Sequence, residues 1–232
     1  MIAAIDIVGL TVPKGRSVVL DGLCLKVPSG SIAAVVGRSQ AGKTVLLSAI
    51  LGRIADVSGT IRVCDLDGRE QTGEILQRTT WVPGCGVLEE HLTVRENVSL
   101  VMRLCQVPEP TRTAVERALR ESDVPDRTFD LRARSLTRLE AFSVWIAIAR
   151  LRRSLVILLD DPAASLGPLD AVRATILIRE LRSNGPTILV VTRDQQFAED
   201  VADAVYLLEG GRLSTTRASR PETPPGHTAD LL

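Results

Sequence analysis

An α/β domain is predicted, with a parallel core sheet, an N-terminal antiparallel β portion and an inserted α-helical portion. Three observations carry this. Short β-rich runs at residues 5–8, 17–20, 23–27 and 31–36 are separated by Gly and Pro signals, the spacing of hairpins. Apolar runs at 155–159, 187–191 and 204–208 alternate with helical stretches, as buried parallel strands do in βαβ units. Between Leu92 and Arg150 helical patterns dominate, broken at Pro108, Pro110 and Pro125.

Taken in order, the strand that ends at Val36 runs into a Gly-rich turn and a helical stretch over 44–51, stopped near Gly52. Strand-like pieces follow at 60–64 and 79–82. Thr93 and Glu96 fit a capping box, in which hydroxyl and carboxylate each satisfy a backbone N–H at a helix start. A further helix is expected over 169–183. Residues 1–213 are expected to form one domain with the helical subdomain at about 92–150 inserted, and the Pro-, Ser- and Thr-rich residues 214–232 an unstructured tail.

The 232 residues include 45% hydrophobic and 24% charged side chains, enough to bury a core. Lys and Arg total 28, as do Asp and Glu, so the basic footprint of a nucleic-acid binder is missing. No apolar run approaches the roughly 20 residues that span a bilayer, and no charged-then-apolar leader opens the chain. A cytoplasmic protein is expected. Cys24, Cys64, Cys85 and Cys105 lack metal-ligand spacing and read as reduced, small hydrophobes.

The string Gly37-Arg38-Ser39-Gln40-Ala41-Gly42-Lys43-Thr44 matches G-x-x-x-x-G-K-[ST]. Its glycines let the backbone curl so that several N–H groups face one anion, and the following helix adds its positive end. Lys43 is placed to neutralise β- and γ-phosphate oxygens, and the Thr44 hydroxyl to hold Mg²⁺. With 17 glycines and three lysines in the chain, chance produces such a string only about two times in a thousand. A ligand-free strand-to-helix turn is the competing explanation. The apolar strand before the string and the apolar helix after it favour an ATP-type ligand.

The run Leu155-Val156-Ile157-Leu158-Leu159 ends in Asp160-Asp161. A buried parallel strand would carry Asp160 to the carboxyl end of the sheet, beside the phosphate loop, where it can orient a Mg²⁺-bound water. An aspartate pair after a core strand is often mere surface; beside the loop, metal holding is the stronger reading. These features predict a P-loop NTPase fold.

The order of motifs resembles the ATP-binding cassette of ABC transporters over residues 2–213. Leu136-Thr137-Arg138-Leu139-Glu140 aligns best with the family's Leu-Ser-Gly-Gly-Gln signature, and Ile146-Ala147-Ile148-Ala149-Arg150 resembles the helix after it. Asp161-Pro162-Ala163-Ala164-Ser165-Leu166-Gly167-Pro168 looks like the family's Glu-Pro-x-x-x-Leu-Asp-Pro. Val191-Thr192-Arg193-Asp194 looks like its Val-Thr-His-Asp, and Leu208-Glu209-Gly210-Gly211-Arg212 like its closing turn. The resemblance implies ATP and Mg²⁺ as ligands, a second cassette facing this one, and a separate membrane permease docked near residues 87–97.

Departures from the family pattern fall on functional positions. Gly84 follows Trp81-Val82-Pro83 where the family has Gln; Arg138 and Leu139 replace signature glycines; Asp161 stands for the catalytic Glu, Gly167 for an Asp and Arg193 for a His. Lys14 aligns where a ring would stack on adenine, and no aromatic residue precedes Trp81. Shortening Glu to Asp withdraws the carboxylate by about 1.5 Å, enough to slow a position-dependent reaction about a hundredfold. The expectation is an ATP-binding transporter subunit with weakened hydrolysis, in which Asp161 and Lys43 would carry any catalysis. The alternatives are a non-catalytic regulatory or structural cassette-fold protein and, with less support, a soluble P-loop kinase.

Overall fold

The structure, a computed structural model, describes residues 2–15, 17–84 and 87–217. Six strands form the central sheet in the order β10-β9-β3-β8-β7-β6. They are β3 (Ile32–Val36), β6 (Thr79–Val82), β7 (Val156–Asp160), β8 (Thr187–Thr192), β9 (Ala204–Glu209) and β10 (Arg212–Arg217). Pairing is parallel from β9 through β6, and only β10 runs antiparallel, against β9. Every residue of β3 and β8 is buried, which explains why both read as unbroken rather than alternating apolar runs.

A second, antiparallel sheet has the order β2-β1-β4-β5, from β1 (Ala3–Lys14), β2 (Ser17–Pro28), β4 (Ser58–Val63) and β5 (Leu66–Asp67). Residues 17–20 and 23–27 were expected as separate strands, but they form the single strand β2. Gly22, at φ 60°, lies between them, and register shifts along the β1–β2 pair absorb the irregularity without ending the strand.

Helix α1 (Lys43–Ile50) lies between the two sheets. Its Leu46, Leu47 and Ile50 pack with Leu10 and Leu25 of one sheet and Val35, Leu158 and Val191 of the other. On the opposite face of the central sheet, Ile146, Ile178 and Phe197 from α5 (Arg138–Arg152), α6 (Pro168–Arg182) and α7 (Gln195–Val201) cover Ala34, Ile157 and Val190. A third core joins α5 to α3 (Val94–Leu104) and α4 (Arg112–Arg120) through Val98, Met102, Leu119, Phe129 and Ile148. Because α5 forms a wall between two cores, it is apolar nearly all round and carries little amphipathic signal.

Thr93 and Glu96 form the expected capping box at α3, and Thr137 and Glu140 form another at α5. The tail needs correction at its start. Residues 214–217, expected to be unstructured, complete β10, where Leu213 pairs with Leu208 and Thr215 with Tyr206. The run Ser214-Thr215-Thr216 on an edge strand resembles loop composition although Thr suits a pleated surface. Residues 218–232 lie outside the described residues, as does Cys85.

One side chain ties α5 to the short helix α2 (Thr72–Arg78) and to β6. The Arg152 guanidinium donates to Thr79 O at 2.8 Å, to Thr80 Oγ1 at 2.8 Å and to Leu76 O at 2.9 Å. Arg152→Ala leaves these acceptors without their charged donor and is expected to cost about 2–4 kcal/mol of stability. The check is urea unfolding, where the midpoint should fall with an unchanged slope.

Candidate nucleotide site

The loop of residues 37–42 joins β3 to α1 at the carboxyl end of the central sheet, where open α/β sheets place their ligands. Two of its glycines are required by space. A Cβ on Gly37 would stand 2.8 Å from the Leu208 carbonyl oxygen; one on Gly42, at φ 103°, would stand 2.9 Å from Leu20 Cδ2. Strands β9 and β2 thus press on the loop from both sides. Gly37 N–H donates to Thr192 O at 3.1 Å and Ala41 N–H to Arg38 O at 3.2 Å, which fixes the curl, with Gln40 at φ 65°. No side chain caps α1, so its first-turn N–H groups are left for an anion.

Lys43 is only 8% exposed, and its ammonium donates to Gly37 O at 2.7 Å and Arg38 O at 2.8 Å. Burial pulls its pKa below the ordinary lysine value and Arg193 adds to this, while Asp161 and Asp160 oppose it. Thr44 Oγ1 donates to Asp160 Oδ2 at 3.1 Å, so the first turn of α1 and the end of β7 meet across a sequence separation of 116. Asp160 is held above the ordinary carboxyl range by burial, with Asp161 adding to the rise and the Thr44 hydroxyl and Lys43 countering it.

Asp161 stands at φ 53° just past β7, and both its oxygens are engaged. Thr192 Oγ1 donates to Oδ1 at 3.0 Å and Arg193 Nε to Oδ2 at 3.0 Å. This grouping depends on β7 and β8 being neighbours, which residue spacing alone does not announce. Gly84 packs its Cα against the Asp160 backbone carbonyl so closely that a Cβ there would collide with it; in this arrangement no glutamine fits at that position.

Together Lys43, Thr44, Asp160, Asp161 and Arg193, with Ser39, Gln40 and Gly42 of the loop, line a cleft of about 460 Å³. Lys14 of β1 and Val19 of β2 also line it, Val19 lying against Gly42 of the loop. Of the eight loop positions singled out in the sequence, Gly37, Arg38 and Ala41 shape the curl without lining the cleft. Val19 is a contributor that motif reading did not single out, because its placement comes from strand packing, and Thr192, quoted within a motif, takes its role from β8 lying beside Asp161. Among the described residues no cluster of His, Cys, Asp and Glu is arranged to hold a metal without further ligands. Thr44 and Asp160 supply the hard oxygen donors that suit a metal completed by phosphate and water.

Parallel sheet, curled glycine loop, buried lysine and strand-end aspartate define the class: a P-loop nucleotide-binding domain. The family model for "ABC transporter" matches residues 20–164, and the chain belongs to the ABC transporter ATP-binding family. The ribose import ATP-binding protein RbsA of Chelativorans sp. (strain BNC1) is 31% identical over 226 residues, covering 94% of this chain and 44% of RbsA. ATP-binding cassette sub-family A member 9 of Mus musculus is 28% identical over 208 residues, covering 88% of this chain and 13% of that protein. The aliphatic sulfonates import ATP-binding protein SsuB 3 of Paraburkholderia xenovorans (strain LB400) is 30% identical over 230 residues, covering 99% and 86%. The chain therefore spans less than half of the first two relatives and most of the third.

Solved structures share the fold. CbiO1 of Clostridium perfringens, part of the ABC transporter complex cbiONQ, superposes with TM-score 0.81 at 22% identity, covering 91% of this chain and 87% of that one. The dimeric ATP-binding cassette MJ0796 bound to ADP and Pi gives TM-score 0.79 at 20% identity, covering 92% and 99%.

The raised affinity of Asp160 for its proton has a consequence for stability. The native state binds this proton more tightly than the unfolded chain, so stability is lost as pH rises from near 3.8 through the elevated native value. Asp160→Asn removes that penalty. It is expected to raise the melting temperature of the ligand-free protein by a few degrees at pH 7, with the gain vanishing below the ordinary carboxyl pKa; calorimetry across pH checks this.

Proposed function

We propose that this chain is an ATP-binding subunit that binds Mg-ATP and thereby drives or gates a separate membrane permease. The single observation carrying this is the meeting of Thr44 and Asp160 at 3.1 Å, beside a lysine buried inside a phosphate-type loop. Residues 37–44 would cradle the triphosphate, with Lys43 moving from two carbonyls to phosphate oxygens. Thr44 and Asp160 would hold Mg²⁺, which when bound neutralises charge on the β- and γ-phosphates.

Turnover is proposed to be weak. Asp161 is the carboxylate placed to orient an attacking water, yet Thr192 and Arg193 occupy both its oxygens. Arg193 has no acceptor atom and so cannot take the place of a neutral imidazole. At the aligned signature, Thr137 and Glu140 cap α5 themselves: Glu140 accepts from Thr137 N–H at 2.8 Å and from Arg127 at 3.1 Å. That carboxylate occupies the end where a facing cassette's phosphate would approach.

The relatives' names, import ATP-binding proteins and a dimeric cassette, support a second cassette and a permease as partners. Among the described residues no helix is long and apolar enough to cross a membrane, consistent with a peripheral place on the cytoplasmic face of a permease. The Asp161–Arg193 pair also favours a second reading, a regulatory cassette that binds nucleotide and acts through protein contacts.

Equilibrium binding and phosphate release test these together. Lys43→Ala should weaken Mg-ATP binding tenfold or more. The double variant Asp161→Glu, Arg193→His should raise turnover at least tenfold over the unaltered chain. Binding with no turnover in either form supports the regulatory reading, and no Mg-ATP binding at millimolar concentration removes both.

A further inference from the structure

The cleft is built in detail for phosphate and not for a base. Cation, hydroxyl, loop and carboxylates converge around Lys43, and the remaining lining side chains are Val45, Val19 and Lys14.

A base is held by a ring against its face or by fixed donors and acceptors along its edge. The chain has six aromatic residues, and none lines the cleft. Phe129 belongs to the helical core, and Phe142 and Phe197 to the layer beneath the central sheet. Trp145 packs between those two cores, Trp81 lies under Arg53, and the Tyr206 hydroxyl donates to Lys26 O at 3.4 Å. Among the described residues, the planar cation in the cleft is Arg193, and its Nε is spent on Asp161 at the phosphate end.

Edge recognition is equally thin. Lys14 is exposed at the end of β1, and an ammonium on a flexible stem donates to any acceptor. Every nucleobase presents one. Val19 adds aliphatic contact that no base excludes.

Resting on the nucleotide reading above, we infer that the cleft is a base-indifferent polyphosphate site, whose minimal ligand is Mg-tripolyphosphate and which takes ATP, GTP, CTP and UTP alike. The binding free energy lies in the Lys43 loop and the metal seat. The Lys14 charge adds long-range attraction for any polyanion.

Titration calorimetry on the full chain with Mg²⁺ and each of the four nucleotides and tripolyphosphate tests this. The five dissociation constants are expected to fall within tenfold of one another. ATP binding more than tenfold tighter than CTP or tripolyphosphate overturns the inference while leaving the nucleotide reading intact. If none of the five binds, the nucleotide reading fails and the inference with it. One variant locates the base. Lys14→Trp should tighten ATP relative to tripolyphosphate fivefold or more, by supplying a stacking face while removing the same long-range attraction from both. An unchanged ratio of the ATP and tripolyphosphate affinities contradicts the placement of the base beside Lys14.

Discussion

The site depends on one buried charge. Lys43 carries an ammonium that is almost wholly withdrawn from water, and its hydrogen-bond partners are two backbone carbonyls of its own loop. Carbonyl dipoles offset only part of the cost of desolvating a cation. Two carboxylates stand nearby, but Asp160 accepts from Thr44 and Asp161 is paired with Arg193, and the ammonium donates to neither. A polyanion entering the cleft would give it a charged partner.

The rest of the fold serves to keep that charge in place. Strand β9 closes on Gly37, β2 closes on Gly42, and β8 takes the Gly37 N–H through Thr192 O. The loop is therefore clamped by elements from both sheets, and α1 is buried between them so that its N-terminal end cannot swing away. On the other side of the cleft, β7 delivers Asp160 to Thr44, and Gly84 allows β6 and β7 to finish in close backbone contact. Rigidity here has a chemical purpose, since a cradle for phosphate works by having its donors set before the ligand arrives.

Much of this was legible in the chain because it is local. The glycine loop, its lysine and its threonine lie within eight consecutive positions, and the apolar run ahead of Asp160 announces a buried strand that ends in a carboxylate. The capping pair Thr93 and Glu96 follows from spacing alone. What escaped is what strand pairing creates. Asp161, Thr192 and Arg193 become one hydrogen-bonded group only because β7 lies beside β8, and Val19 reaches the cleft because β2 packs against the loop at Gly42. Residues 214–217 resembled a tail because edge strands need no apolar alternation, their partner being the backbone of β9.

The most direct test is a crystal structure of the protein with Mg²⁺ and a non-hydrolysable ATP analogue. The account predicts Lys43 Nζ released from Gly37 O and Arg38 O and lying about 3 Å from phosphate oxygens. It also predicts the ion in contact with Thr44 Oγ1 and on the Asp160 side of the cleft. Analogue bound elsewhere, with Lys43 still on its two carbonyls, would contradict it.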